Sequence, residues 1–281
     1  MRFTRLKFAT GLMFATALTL SAADAPKSVR LYVLDCGRLT IDDPARLGFK
    51  KEQLKTVDLS MGCYLIAHPK GTLFWDTGAV PDSFFKPGAA TATLTYGTVT
   101  KSITSQLAAS GYALKDINFL AISHYHWDHI GNANLFAGAT WLTPKVERDM
   151  MLAGKSDSRY PEHFSALKQS KFIVTDSKTG EYDVFGDGAV ILKSTPGHTE
   201  GHQSLFVKLK NTQPVVLSGD LYHYPEEVTT GIVPPIDVNK DQTTRSRRDL
   251  AAYIKKQKAQ LWIQHDLLQF EKLKKAPLFY E

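Results

Sequence analysis

One run constrains this chain more than any other feature: Ser123-His124-Tyr125-His126-Trp127-Asp128-His129. It directly follows Ile117 to Ile122, which is apolar except for Asn118 and reads as a strand buried on both faces. In extended chain, residues two apart point the same way. His124 and His126 can therefore grip one ion together. Asp128 and His129 come after the chain turns, so they can face a second ion close by. Four potential ligands packed this tightly at a strand end are not the make-up of an ordinary polar loop.

A two-metal centre needs further ligands, and three more strand ends supply them. His198 lies in Thr195-Pro196-Gly197-His198, after a strand over 189–192. Asp220 lies in Ser218-Gly219-Asp220, after a strand over 215–217. His265 lies in Gln264-His265-Asp266, after a strand over 261–263. A lone histidine in such a place is often only hydrogen-bonded; the recurrence beside the cluster is what gives these three weight. Five imidazoles and two carboxylates suit zinc, and iron, manganese or cobalt can use the same set. Two divalent ions against two carboxylates and one hydroxide leave a slightly positive site. Such a site suits one oxyanion and is not built for a polyphosphate.

The net charge of +6 would otherwise suggest nucleic acid. Half of it is Arg2, Arg5 and Lys7, which open a secretory-type leader. Phe8 to Leu20 is apolar but shorter than the roughly 20 residues of a membrane span. Ser21-Ala22-Ala23 offers a cleavage site, with Ala23-Asp24-Ala25 as a second option. The reading is a signal peptide over 1–23, a periplasmic or secreted product and no stable membrane anchor; the competing reading is an anchor that is never cleaved. What remains carries only a mild positive balance, with no demand for nucleic acid. After export Cys36 and Cys63 can form one bridge, or stay two buried thiols on neighbouring strands.

From 24 to 281, strand and helix patterns alternate and no linker divides them. Strands are expected over Val29–Asp35, Cys63–Ala67, Thr72–Trp75 and Thr140–Leu142, and later over Ala189–Leu192, Ser204–Leu209 and Val215–Leu217. Helical spacing appears around Ile103, over Val146–Leu152 and at Leu250, Tyr253 and Ile254. Gly78 to Thr98 reads as a loop, and Ala153 to Gln169 as a polar surface stretch. The fold class is α/β, with sheets covered by helices.

The His-X-His-X-Asp-His cluster, followed by His198, Asp220 and His265, resembles the metallo-β-lactamase superfamily. Phe74-Trp75-Asp76-Thr77-Gly78 looks like that superfamily's early strand and Asp-Thr-Gly turn. The resemblance spans about Val29 to the C-terminus and implies a single domain over 24–281, an αββα sandwich with its site at one edge. It implies that His124, His126 and His198 bind a first metal, that Asp128, His129 and His265 bind a second, and that Asp220 bridges them. Asp76 would orient a ligand, or else cap its turn.

Within the superfamily the chain is most similar to the N-acyl-homoserine lactone lactonases. Gly62-Cys63-Tyr64-Leu65, the Thr-Pro-Gly-His segment running on to Gly201-His202-Gln203-Ser204-Leu205, and Gln264-His265-Asp266 near the end carry this. Class B1 β-lactamases generally lack His129 and have Cys in place of Asp220. Glyoxalase II follows its last ligand region with a helical segment that is too long for this tail. The lactonases often have Tyr where this chain has His223. Either His223 donates to the lactone carbonyl, or its neighbour Tyr222 turns inward. His202 reads as a packing or supporting residue, and His68 and His163 as ordinary loop residues.

The resemblance implies attack by a hydroxide bridging two ions, most readily Zn2+, with Asp128 shuttling the proton to the leaving oxygen. An acyl chain needs an apolar groove, for which Phe84, Phe85 and the rest of 78–98 are candidates. Two other readings stand beside the lactonase. One is a broader carboxylester, thioester or β-lactam hydrolase on the same site; the other is a periplasmic metal-binding protein without catalysis. The resemblance also allows a homodimer, for which the sequence shows no interface signature.

Overall fold

In the computed structural model, which describes residues 25–154 and 159–281, successive residues of β1 (Arg30–Leu39) enter different cores. Leu31 and Val33 pack on one side of the strand, Tyr32 and Leu34 on the other. A strand flanked by apolar layers on both faces must be apolar throughout. β2 (Leu59–His68) is buried along its whole length and is apolar but for Ser60 near its start and His68 at its end. β3 (Gly71–Trp75), β4 (Ala92–Leu94), β5 (Gly97–Val99), β6 (Phe119–Ala121), β7 (Thr140–Thr143) and β8 (Phe172–Val174) complete most of the first sheet. Its order is β4-β5-β1-β2-β3-β6-β7-β8.

The second sheet holds β9 (Glu181–Asp183), β10 (Val190–Ser194), β11 (Gln203–Val207), β12 (Val215–Leu217) and β13 (Gln260–Trp262), in reverse order along its width. β14 (Phe279–Tyr280) returns to pair with β1. The helices are α1 (Ile103–Ala109), α2 (Trp127–Ile130), α3 (Lys145–Leu152), α4 (Glu226–Thr230), α5 (Lys240–Gln257) and α6 (Leu267–Lys272). Among the described residues, no helix is long and apolar enough to cross a membrane.

Three apolar clusters define the layers. The central one joins Leu31, Val33, Ile66 and Trp75 of the first sheet to Leu192, Leu205, Val207 and Leu217 of the second. Phe206 and Val216, one residue out of phase, face away and pack on Leu250 and Tyr253 of α5. Leu34, Phe74 and Leu120 face outward from the first sheet onto Ile103 and Leu107 of α1. Helix, sheet, sheet and helix follow in that order: the αββα sandwich expected from the sequence.

Several local expectations need correction. The stretch 78–98 is not all loop, since β4 and β5 form a hairpin on the edge of the first sheet. β1 does not stop at Gly37. The register shifts between Asp35 and Arg38, Gly37 takes φ +112, and the strand continues to Leu39. The polar stretch after Ala153 is not all surface, because Phe164 and Leu167 are buried in the first outer core. His68 and His163 are buried too. His68 stacks on Phe185 and pairs with Asp187 at 3.0 Å; His163 stacks on Tyr160. Cys36 and Cys63 form a disulfide between β1 and β2. The leader expected over 1–23 lies outside the described residues.

Candidate metal centre

β6 lies in the middle of the first sheet, parallel to β3 and β7. The chain leaving it passes through His124 and His126 and then turns into α2, which carries Asp128 and His129. The facing sheet supplies His198 from the connection between β10 and β11, Asp220 from the turn after β12, and His265 just beyond β13. All seven predicted ligands therefore meet at one edge of the sandwich, in two groups. His124, His126, His198 and Asp220 form one, and Asp128, His129, Asp220 and His265 form the other; within each, the ligand atoms lie within 4.8 Å of one another.

Asp220 belongs to both groups through different oxygens. Its Oδ2 lies 3.6 Å from His124 Nε2 and 3.4 Å from His198 Nε2. Its Oδ1 lies 3.1 Å from His129 Nε2 and 3.0 Å from His265 Nε2. His126 presents Nδ1, 3.0 Å from His198 Nε2. Asp128 Oδ2 closes the second group at 3.6 Å from His265 Nε2.

The far side of each ring decides which nitrogen faces inward. His129 Nδ1–H donates to Asp76 Oδ2 at 2.9 Å, His198 Nδ1–H to Asp237 Oδ1 at 2.9 Å, and His265 Nδ1–H to the Ser60 carbonyl at 2.7 Å. Each bond fixes the tautomer and leaves Nε2 with its lone pair toward the site. Of the two roles expected of Asp76, the structure shows contact with a candidate ligand, and its side chain reaches out of its own turn instead of capping it. Its Oδ1 accepts from Ser123 N–H at 2.6 Å, its backbone takes φ 53 in the turn, and Gln264 Nε2 donates to Oδ2 at 2.7 Å. Asp237 is braced in turn by the Thr243 hydroxyl at 2.6 Å.

These residues fit divalent ions. His124 Nε2, His129 Nε2 and Asp220 Oδ1 are buried, face the site, and make no hydrogen bond. Burial, with His129 beside it, holds His124 well below the usual histidine range. Burial and His126 do the same to His198. Neutral imidazoles with free lone pairs are the form a metal needs. Against its burial, Asp220 is held well below the carboxylate range by His265, His129, His124 and His223. Burial opposes a charge on His129, yet Asp220, Asp76 and Asp128 outweigh it and raise the ring well above its ordinary value. A place that favours positive charge so strongly suits a cation.

His202 supports the bridge rather than joining it. Burial pushes it down to about 3, and its neutral Nε2 accepts from the Asp220 N–H at 2.9 Å.

A cavity of about 310 Å³ opens above both groups. Asp128, Asp220 and His265 reach its floor, and Leu39, Ile41, Leu47, Leu59, Ile236 and Val238 give it apolar walls. His223 lines it and Tyr222 does not. The Tyr222 ring packs instead with Leu250 and Phe206, under the Arg247 guanidinium. His223 Nε2 lies 3.3 Å from Asp220 Oδ2. Burial works against its charge, but Asp220 and Glu227 lift it to about 10. Phe84 and Phe85 do not line the cavity; from 78–98 only Tyr96 does. Phe84 lies edge-on to His163, and Phe85 packs on the first outer core.

Sequence reasoning passed over Ser60, Asp237, Thr243 and Glu147. None belongs to the ligand motifs, and Ser60 acts through its backbone carbonyl, which carries no residue signal.

Comparison with known proteins shows the family and the fold. The family model described as the metallo-beta-lactamase superfamily matches residues 62–253. N-acyl homoserine lactonase AttM of Agrobacterium fabrum is 28% identical over 266 residues, covering 90% of this chain and 98% of that protein. The N-acyl homoserine lactonase of a Bacillus species is 27% identical over 246 residues, covering 85% and 94%. A solved quorum-quenching N-acyl homoserine lactone lactonase shares 25% identity and a TM-score of 0.74, covering 90% of this chain and 98% of that one. AidC, a dizinc quorum-quenching lactonase solved with a homoserine product, has a TM-score of 0.62 at 18% identity, covering 85% and 88%, and is alike in fold.

Proposed function

Because the chain belongs to the metallo-beta-lactamase superfamily, we propose that it is an exported hydrolase that opens the lactone ring of N-acyl-homoserine lactones with two bound divalent ions, zinc foremost. The observation that carries this is Asp220, whose two oxygens face separate ligand groups at the floor of an apolar-walled cavity. The relatives named above support the lactone as substrate.

His124, His126, His198 and Asp220 would hold one ion, and Asp128, His129, Asp220 and His265 the other. When bound, the pair supplies Lewis acidity and acidifies water to a pKa of about 7. The rest of the chemistry belongs to the chain. The apolar wall takes the acyl tail, which brings the ring to the cavity floor. His223 Nε2–H donates to the acyl oxygen as charge gathers there. Water adds to the acyl carbon as the ring C–O bond breaks, and Asp128, on the cavity floor, passes the proton that this water gives up to the ring oxygen as it leaves. The product is an open acyl-homoserine carboxylate.

Export rests on the basic start, the apolar run to Leu20 and the small residues after it; a disulfide between Cys36 and Cys63 agrees with an oxidising compartment. N-terminal sequencing of the protein from cell fractions tests it: a start near Asp24 in the exported fraction is expected, and an intact Met1 in the cytosol would refute it.

The activity is tested by proton release from a long-chain acyl-homoserine lactone on metal-loaded protein. A chelator-stripped sample, a thioester, a phenyl ester and a β-lactam run in parallel. Metal-dependent release on the lactone is expected. Turnover of another substrate alone would move the function to it, and metal uptake with no turnover would leave a binding protein.

A further inference from the structure

Glu147 stands at the start of α3 and is nine-tenths or more buried. Among the described residues no cation pairs with it. A buried carboxylate without a counter-ion is costly unless donors surround it. Its donors come from the two loops that carry the three histidines of the first ligand group. Oε2 accepts from the Tyr125 N–H at 3.0 Å, between His124 and His126. Oε1 accepts from the Gly201 N–H at 2.8 Å and from the Thr199 hydroxyl, which follows His198 in sequence. The second loop is pressed hard onto α3. A Cβ at Gly201 would lie 2.6 Å from Val146 Cγ1 and 2.8 Å from Glu147 Cγ.

We infer that Glu147 is a positioning residue: it fastens the His124–His126 loop to the His198 loop and so sets the affinity of the first ligand group. This rests on the metal reading above and not on the lactone. The chemistry calls for a carboxylate. Accepting from both loops takes two acceptor oxygens, whereas glutamine offers one oxygen and turns an NH2 toward the other donor. The second ligand group is braced by other residues: Asp76, Gln264 and the Ser60 carbonyl.

The test is a chelator competition with zinc alone on the full chain at pH 8, the two groups being resolved by the imidazole nitrogen NMR signals of their histidines. In Glu147→Gln, the affinity of the group holding His124, His126 and His198 is expected to fall about 10–100-fold, the usual cost of losing an outer-shell partner. The group holding His129 and His265 should stay within about threefold, well short of that cost. Thr199→Val keeps the side-chain shape and removes one donor, so a smaller fall on the same group is expected, and this variant serves if Glu147→Gln folds poorly. Equal losses at both groups, or none at the first, would overturn the inference. Wild type that takes up no zinc would overturn the metal reading itself, and with it this one.

Discussion

At the scale of single residues, position along the chain says what a side chain is, and the partner behind it says which of its atoms is offered. Strand ends and the two-residue spacing made all seven candidate ligands legible in the sequence, because the residue types that could hold a metal stand out there. The braces were not legible. Asp237 reaches His198 from a connection with no motif, and His265 is held by a main-chain oxygen. The sequence does not separate His223 from Tyr222, since alternation does not hold through the irregular turn after β12; packing on Leu250 and Arg247 takes Tyr222 away. If His223 is the donor to the acyl oxygen, His223→Phe lowers kcat on the lactone about 10²–10³-fold with metal content unchanged. His223→Tyr retains most of the rate. Steady-state kinetics beside metal analysis checks both.

At the scale of elements, long apolar runs were easy to read and short strands were not. β4 and β5 are three residues each, rich in Thr and Gly, and hold their shape by pairing with each other and with β1. α3 was expected as a helix, but nothing in its spacing marked Glu147 as more than a surface acid. Burial pushes that carboxyl up to about 7 from an ordinary 4.5, against the pull of Thr199, Gly201 and Tyr125. Between those two values the folded chain keeps a proton that the unfolded chain has released. Stability of the metal-free protein therefore falls as pH rises through this window. Glu147→Gln should flatten that part of a melting-temperature curve against pH, while wild type retains the slope.

At the scale of the whole molecule, two sheets meet over one core, and one link between strands of the first sheet is covalent. The Cys36–Cys63 disulfide closes a sequence separation of 27 residues. Replacing both cysteines with Ala should cost about 3.5 kcal/mol, by the loop-closure estimate, read from denaturant unfolding of the oxidised and the substituted protein. The ligands, unlike the disulfide, span both sheets: the first sheet gives His124, His126, Asp128 and His129, and the second gives His198, Asp220 and His265. Bound ions would stabilise the folded chain by mass action. Limited proteolysis with and without chelator should then show faster digestion of the stripped form, with equal rates counting against it. Set at the seam, a bound metal would govern lifespan as well as turnover. In a metal-starved environment the protein would be cleared as well as silenced, and its abundance would follow the local supply of that metal.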